Sequence, residues 1–165
     1  MTTKNCHCTS IGDRAVLDMA NDGVLFATFT RVKHNGIYWW LSLQICRECG
    51  QNWLVASEEA QNDVLCLCRL GVESAGRIVE EGFWPPDFDR YETLLEMGRD
   101  AGHKVTFGAV TSPDHPLIDT ITAIAEERPG IRVSRLASLL NLKPSFAAKH
   151  AQTAVDTSSV KIEFN

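Results

Sequence analysis

The fold is organised around Cys46-Arg47-Glu48-Cys49-Gly50, in which two thiols stand close together with a glycine directly after the second. A second close pair, Cys6-His7-Cys8, lies far upstream. Zinc prefers tetrahedral thiolate or imidazole ligation, and a C-x2-C turn brings two sulfurs to one metal while nearby backbone N–H groups offset their charge. The two pairs therefore predict a structural Zn2+ site that ties the N-terminus to a sheet, with Cys6, Cys8, Cys46 and Cys49 as ligands.

Three further residues could join or replace these ligands. His7 could replace a sulfur, but it equally suits a flanking position in a tight turn. Cys66 and Cys68 would lie on the same side of a strand, a spacing that could bind metal or suit two small buried side chains. Because free cysteine is among the most buried residue types, we favour buried thiols for this pair.

The composition bounds the class of protein. A chain of 165 residues and 18.3 kDa is long enough for one ordinary domain or for two small modules. The 44% hydrophobic and 22% charged content is typical of a folded protein. Six cysteines without an export signal favour metal ligation over a disulfide framework. No apolar run approaches the roughly 20 residues that cross a bilayer, so we expect a cytoplasmic protein.

Two β-rich runs predict a hairpin near the N-terminus. Residues 24–32 and 37–45 flank Asn35-Gly36, and Asn-Gly is the strongest short hairpin signal. Residues 51–56 form another strand-like run directly after the thiol turn. The alternation in the second arm predicts a core face made of Ile37, Trp39, Leu41, Leu43 and Ile45.

Strand, thiol turn and strand is the layout of a zinc ribbon. With Cys46-x-x-Cys49-Gly50 and Trp53 after it, residues 1–70 resemble the zinc-ribbon group. The sequence departs from the usual pattern because the Cys6-His7-Cys8 pair is one residue shorter than C-x2-C and the intervening segment is long. The resemblance implies an antiparallel sheet held by a structural zinc ion.

The middle segment, residues 71–112, is predicted to be largely helical. Residues 73–81 form a helix that Gly82 ends, with Val72, Ala75, Ile78 and Val79 on one side. Asp87 is the expected N-cap of a helix over residues 88–101, which Gly102 closes. A strand over residues 104–110 and a loop over residues 112–116 should follow.

The C-terminal segment, residues 113–165, has the pattern of three helices. We expect them over residues 117–127, over residues 135–140 with Ser134 as the cap, and from Pro144 to about residue 155. A single strand over residues 160–164 is left for a wing. The fold class is therefore α+β: an N-terminal antiparallel zinc-ribbon-like sheet, central helices and a C-terminal tri-helical module.

Residues 131–145, Ile-Arg-Val-Ser-Arg-Leu-Ala-Ser-Leu-Leu-Asn-Leu-Lys-Pro-Ser, resemble a helix-turn-helix of the winged type found in many bacterial regulators. That resemblance implies DNA binding, with one helix face in a major groove and nearby bases on phosphates. Tri-helical modules also serve as protein-binding or structural units. The candidate DNA-binding residues are Arg132, Arg135, Lys143, Ser145, Lys149 and Gln152.

The formal charge of −5 hides a segregation of charge along the chain. Residues 73–100 carry eight acids and three arginines, whereas residues 128–155 carry five bases and no acid. A charge run is usually a solvated face, but it can also meet a partner of opposite sign. The candidate partner-binding residues are Glu73, Glu80, Glu81, Asp89, Glu92, Glu96 and Asp100.

The sequence lacks the common catalytic motifs. It has no Gly-rich phosphate loop, no G-x-S-x-G and no H-E-x-x-H. Four sulfurs would also close the zinc coordination sphere and leave no open position for water activation. We therefore expect no enzymatic activity and no small-molecule substrate.

Two functions follow from these patterns. The first is a non-catalytic inhibitor that binds another protein, similar in general character to small acidic bacterial immunity proteins that neutralise toxins attacking nucleic acids. Its partner would be a basic toxin. The alternative is a DNA-binding transcriptional regulator that uses the C-terminal helix-turn-helix, although the acidic remainder of the chain would weaken DNA affinity.

Overall fold

A computed structural model describes residues 6–58, 64–101 and 116–165 of the chain. The described residues up to Asp89 form one compact unit, and those from Arg90 to Asn165 form another. The predicted α+β class is confirmed, because an N-terminal antiparallel sheet precedes most of the helices. The residues assigned by the sequence to a middle segment are divided between the two units.

The first unit is built on a five-stranded antiparallel sheet in the order β1-β5-β4-β3-β2. Most side chains of the central strands are buried on both faces of the sheet, including the polar side chains of Ser42 and Gln44. The strands are β1 (Arg14–Asp18), β2 (Phe29–His34), β3 (Leu41–Cys46), β4 (Asn52–Glu58) and β5 (Val64–Leu70).

The predicted first arm of the hairpin is partly wrong, because a helix, α1 (Met19–Phe26), occupies its beginning. Asp18 caps this helix by accepting a hydrogen bond from Ala20 N (2.9 Å), and the Asp18 N–H donates to Asp22 Oδ2 (3.0 Å). This reciprocal pair satisfies N–H groups that an uncapped helix would leave without partners. Local capping therefore overrides the strand preference of the apolar run.

The hairpin itself is present, with β2 paired to β3, but its connection is longer than an Asn-Gly turn. Asn35 Oδ1 accepts hydrogen bonds from Ile37 N (2.7 Å) and Tyr38 N (2.8 Å), which holds a loop over residues 35–40. Ile37 is therefore 84% exposed and Trp39 51% exposed. Their predicted place on the core face is wrong, whereas Leu41 and Leu43 are buried there.

Helix α2 (Val72–Glu81) confirms the predicted helix and its end at Gly82, which adopts a left-handed conformation. Ala75 and Ile78 are buried, but Val72 and Val79, predicted on the same side, are exposed. Lys33 Nζ donates to the carbonyl oxygens of Ile78 (2.8 Å) and Val79 (3.1 Å). The Lys33 ammonium group thereby provides hydrogen-bond donors for two of the carbonyl groups that a helix C-terminus leaves unpaired.

Asp87 does not cap the next helix. It lies in a 3-10 turn, Pro86–Phe88, and pairs with Arg14 across a distance of 3.0 Å. Helix α3 (Tyr91–Asp100) begins later, in the second unit, and its first N–H groups are capped by a residue distant in sequence. The two carboxylate oxygens of Glu127 accept from Tyr91 N (2.7 Å) and Glu92 N (3.2 Å).

The remainder of the second unit is α4 (Pro116–Glu127), β6 (Ile131–Arg132), α5 (Val133–Leu139), α6 (Pro144–Ser158) and β7 (Ile162–Glu163). The predicted cap at Ser134 is wrong, since α5 starts one residue before it. Strands β6 and β7 pair in parallel. The buried apolar side chains of α4 to α6 include Leu117, Ile121, Ile124, Leu136, Leu139, Ala147, Ala151 and Ala154.

Some predictions lie outside the described residues. They are the strand over residues 104–110, the helix end at Gly102, and the loop from residue 112 up to residue 115. Among the helices that the structure describes, none is long and apolar enough to span a membrane.

Candidate metal centre

The four cysteines of the two predicted pairs come together at one edge of the first unit. Their sulfur atoms all lie within 4.8 Å of one another. Cys46 is the last residue of β3, Cys49 lies in the turn to β4, and Cys6 and Cys8 precede β1. Cys8 and Cys46 are buried, whereas Cys49 is exposed. Such a group of sulfurs could hold a metal ion.

The turn between β3 and β4 positions two of the sulfurs. Cys46 N donates to Gln51 O, and Gly50 N donates to Cys46 O, each over 2.9 Å. These bonds close the turn only if Gly50 adopts a φ of +74°, a conformation that side chains with a Cβ rarely take. The glycine after the second thiol is therefore a backbone requirement of the turn.

The N-terminal pair is held by a turn around the His7 carbonyl. Ser10 N (2.9 Å), Ile11 N (3.1 Å) and the Ser10 hydroxyl (2.8 Å) all donate to this oxygen. The His7 side chain is exposed and does not belong to the sulfur group. The structure thus assigns His7 the flanking position in a tight turn.

Arg69, on β5, fastens this N-terminal segment to the sheet. Its Nη2 donates to the carbonyl oxygens of Cys8 (2.6 Å) and Ile11 (2.9 Å), and its Nε pairs with Asp13 (3.0 Å). The sequence reasoning missed this residue. The available signal was a single charge inside the otherwise apolar run Val64–Leu70, since such a charge needs partners.

Trp53 lies beside the sulfurs and is packed between Phe29 (ring centroids 5.7 Å apart) and the Arg69 guanidinium (4.6 Å from its ring). Its Nε1 is buried and has no hydrogen-bond partner among the described residues. Interaction with this indole lowers the pKa of Cys8, although burial outweighs it. As a thiolate, the Cys8 sulfur would offer this buried indole N–H an acceptor.

Cys46 is the thiol that ionises most readily. Burial raises the pKa of Cys46. Hydrogen bonds from the Thr28 hydroxyl, whose oxygen is 3.2 Å from the sulfur, and from the backbone N–H groups of Cys49 and Glu48 outweigh burial and lower this pKa to about 6. Hydrogen bonds to a thiolate stabilise its charge. One of the four sulfurs is thus prepared as a negatively charged ligand.

The environment of Cys6 and Cys8 instead disfavours their thiolate forms. Burial raises the pKa of Cys8 to about 12, and the neighbouring Cys49 and Cys46 add to this effect. The pKa of Cys6 is also raised: the Cys8 N–H lowers it, but burial and the nearby thiols outweigh that contribution. Four adjacent thiolates repel one another, and a divalent cation at their centre removes this cost. The donor set therefore fits a thiophilic metal ion.

Cys66 and Cys68 do not belong to this group. They pair with Ala56 and Leu54 of β4, so they lie on the opposite face of the sheet from Trp53. Cys66 is fully buried, and burial raises its pKa to about 12. Cys68 is half-buried, with its sulfur 4.0 Å from Asp87 Oδ1. Their strand register explains why neither sulfur reaches the cluster.

The candidate partner-binding acids are divided between the two units. In the first unit, Glu73, Glu80 and Glu81 are exposed on α2, and Asp89 is half-buried. In the second unit, Asp100 is exposed and pairs with Arg99 (3.2 Å).

Glu92 corrects the expectation of an exposed acidic helix face. It is 4% exposed, and it pairs with Arg90 (3.0 Å), Arg128 (2.8 Å) and Arg135 (3.0 Å). Glu96 also pairs with Arg135. Two acids of the acidic run, Glu92 and Glu96, thus pair with arginines of the basic run inside the second unit, so Glu92 is not available to a partner.

The candidate DNA-binding residues are placed unequally. Arg135 forms ion pairs with Glu92 and Glu96 inside the second unit. Arg132 pairs with Glu163 (3.5 Å), but its side chain is largely exposed. Residues 90–165 carry nine bases and nine acids, a formal net charge of zero. The candidates that are exposed on α6 and just before it are Lys143, Ser145, Lys149 and Gln152.

Comparison with protein-family models, with curated proteins and with solved structures found no match to this chain. What can be inferred about its function therefore rests on the geometry of the two units.

Proposed function

We propose that the four sulfurs bind a structural Zn2+ ion. The observation that carries this proposal is the convergence of Cys6, Cys8, Cys46 and Cys49 within 4.8 Å of one another. Zinc favours four-coordinate tetrahedral thiolate sites, and it has no redox chemistry of its own. The indole N–H of Trp53 and the Thr28 hydroxyl support the choice, because outer hydrogen bonds to sulfur are a normal part of such sites.

The role of this ion would be to hold the N-terminal segment on the sheet. Cys8 and Ile11 belong to the same buried cluster as Trp53, Val55 and Leu67. Without a metal, the raised pKa values of Cys6 and Cys8 keep these sulfurs protonated. The hydrogen bonds from Arg69 would then be the main contacts that hold the N-terminal segment on the sheet. A four-sulfur sphere leaves no position for a reacting water, so the proposed role is non-catalytic.

We propose further that the zinc-stabilised chain is an inhibitor that acts by direct protein–protein binding, in the manner of an immunity protein that neutralises a basic toxin. Support comes from the exposed acids of α2, Glu73 and Glu80, in a unit whose sequence is net acidic. Neither forms an ion pair within the described part of the chain. Unpaired surface acids speed association with a basic partner.

The test is co-expression of the chain with the products of neighbouring genes, followed by purification and an assay of the partner's toxicity. The proposal expects a stoichiometric complex in which toxicity is lost. A wild-type, zinc-loaded chain that co-purifies with none of these products, or a complex in which the partner keeps its full toxicity, would sink the inhibitor function.

DNA binding is the second candidate, favoured by one observation. Ser145, Lys149 and Gln152 are all exposed, and their spacing places them on one side of α6. The neutral charge of residues 90–165 opposes it, because DNA affinity depends on neutralising phosphates. A salt-dependent affinity for duplex DNA that Lys143→Glu plus Lys149→Glu abolishes would place this function first.

A further inference from the structure

Helix α2 carries an apolar stripe on its solvent side. Val72 is 83% exposed, Val79 is 48% exposed, and Phe83, just beyond the helix, is 52% exposed. Val72, Gly76 and Val79 follow the spacing i, i+4 and i+7, which aligns them along one side of the helix, whereas Phe83 lies beyond the left-handed Gly82. The buried side of the same helix is formed by Ala75 and Ile78. The stripe is thus separate from the contacts that hold α2 on its unit.

Gly76 is the residue in this stripe that the fold does not explain. Its backbone is not in the left-handed region, and a Cβ placed on it would meet nothing within 4 Å. Glycine in a helix interior is less stable than alanine. A locally unfavourable residue with no internal reason is a feature of functional surfaces. Here it leaves a flat strip where another backbone can approach closely between Val72 and Val79.

Two acids border the stripe. Glu73 and Glu80 are each exposed and stand one helical step away from Val72 and Val79. Arg77, in contrast, pairs with Glu81 (3.1 Å) and lies over the Phe83 ring (4.0 Å), so its charge is matched locally. The border of the stripe therefore presents negative charge that no residue in the described part of the chain compensates.

We propose that this side of α2, the stripe of Val72, Gly76 and Val79 with Glu73 and Glu80, is the docking surface for a basic amphipathic segment of the partner protein. The inference rests on the proposed inhibitor function and names the surface that performs it. Apolar side chains of the partner pack beside Gly76, and its lysines or arginines meet the two glutamates. A second copy of this chain would bring the same acids against each other, which disfavours self-association.

The probe is a pair of short, fluorescein-labelled synthetic helical peptides that share their apolar positions and differ in carrying lysine or glutamate elsewhere. Binding to the zinc-loaded full chain is followed by fluorescence anisotropy. Gly76→Gln fills the flat strip without changing charge, since glutamine is a good helix former. Glu73→Lys plus Glu80→Lys reverses the border. Glu126→Lys, at an exposed position of the second unit, is the matched charge control.

We expect the lysine peptide to bind the wild-type chain and the glutamate peptide not to bind. Gly76→Gln and the double charge reversal should each weaken binding by roughly tenfold or more, whereas Glu126→Lys should leave it within about twofold. Absence of binding, equal binding of both peptides, or binding unchanged by Gly76→Gln would overturn the assignment. So would a concentration-dependent dimer that Gly76→Gln abolishes, because it would assign the stripe to self-association.

The two proposals fail in different ways. A natural partner that still co-purifies with the Gly76→Gln chain would refute the docking surface and leave the inhibitor function standing. If the lysine peptide binds as expected but no neighbouring-gene product co-purifies with the wild-type chain, the inhibitor function fails and the basic-segment surface stands.

Discussion

Cys46 combines two properties that suit it to bind a metal ion. It is buried at the end of β3, and its pKa is lowered to about 6 by hydrogen bonds that outweigh burial. We expect Cys46→Ser to reduce the zinc content from about one ion per chain to near zero and to unfold the first unit, because binding and folding are coupled at such sites. Metal content by mass spectrometry under native conditions and tryptophan fluorescence check this.

The matched control is Cys68→Ser, which alters a half-buried thiol on the opposite face of the same sheet. Its zinc content should stay at the wild-type value. Equal zinc content in Cys46→Ser and the wild-type chain would contradict the ligand assignment.

Trp53 carries a buried indole N–H that a phenyl ring lacks. We expect Trp53→Phe to keep the packing against Phe29 and Arg69 but to weaken zinc affinity by about 10- to 100-fold, since the proposed Cys8 thiolate would lose a neighbouring N–H donor. Competition with a chromophoric chelator measures the affinity.

Trp40→Phe is the matched control, because the Trp40 indole donates to Phe88 O (2.8 Å) away from the sulfurs. It should cost about 1 kcal/mol of stability and leave zinc affinity unchanged. Equal losses of affinity in the two variants would show that Trp53 acts through general packing.

In the second unit, Glu92 is buried and forms ion pairs with three arginines. We expect Glu92→Gln to destabilise this unit by about 2–3 kcal/mol, because it removes the charge that Arg128 and Arg135 share. Urea unfolding followed by far-UV circular dichroism measures it. Glu126→Gln, an exposed site, should stay within about 0.5 kcal/mol of wild type, and a similar shift in both variants would contradict the buried network.

At the scale of the element, α2 contains two glycines with opposite requirements. A Cβ on Gly76 enters open space, so Gly76→Ala should raise stability by up to about 1 kcal/mol. Gly82 has a φ of +69°, so Gly82→Ala should lower stability by about 1 kcal/mol. Urea unfolding monitored by tryptophan fluorescence compares the two. Shifts of the same sign would mean that backbone conformation does not govern the end of this helix.

Elements were predictable where their signals are local. The end of α2 at Gly82 and the pairing of β2 with β3 follow from residues within a few positions of each other. The start of α3 was not predictable, because its cap is Glu127, which lies 36 residues after Tyr91. Asp87, the expected cap, forms an ion pair with Arg14 instead. Helix α1 was predictable in principle from Asp18 and Asp22, but the apolar run after them favours a strand in isolation.

For the whole molecule, the division into two units gives a direct test of the proposed role of zinc. All four tryptophans, at positions 39, 40, 53 and 84, lie in the first unit, whereas α3 to α6 lie in the second. Removing zinc with a strong chelator should shift tryptophan emission to the red while far-UV circular dichroism keeps most of its helical signal. Added Zn2+ should restore the emission. Parallel loss of both signals would contradict metal dependence confined to the first unit.

The α+β class and the grouping of Cys6, Cys8, Cys46 and Cys49 could be predicted from the sequence, because alternation, helical spacing and a C-x2-C-Gly turn act over a few residues. The bonds from Arg69 on β5 to the N-terminal segment, and the position of Cys66 and Cys68 on the opposite face of the sheet, emerged only from the tertiary structure. It also decided that Glu92 is buried in ion pairs. Strand register and charge pairing join residues far apart in the chain, and local preferences carry no information about such distances.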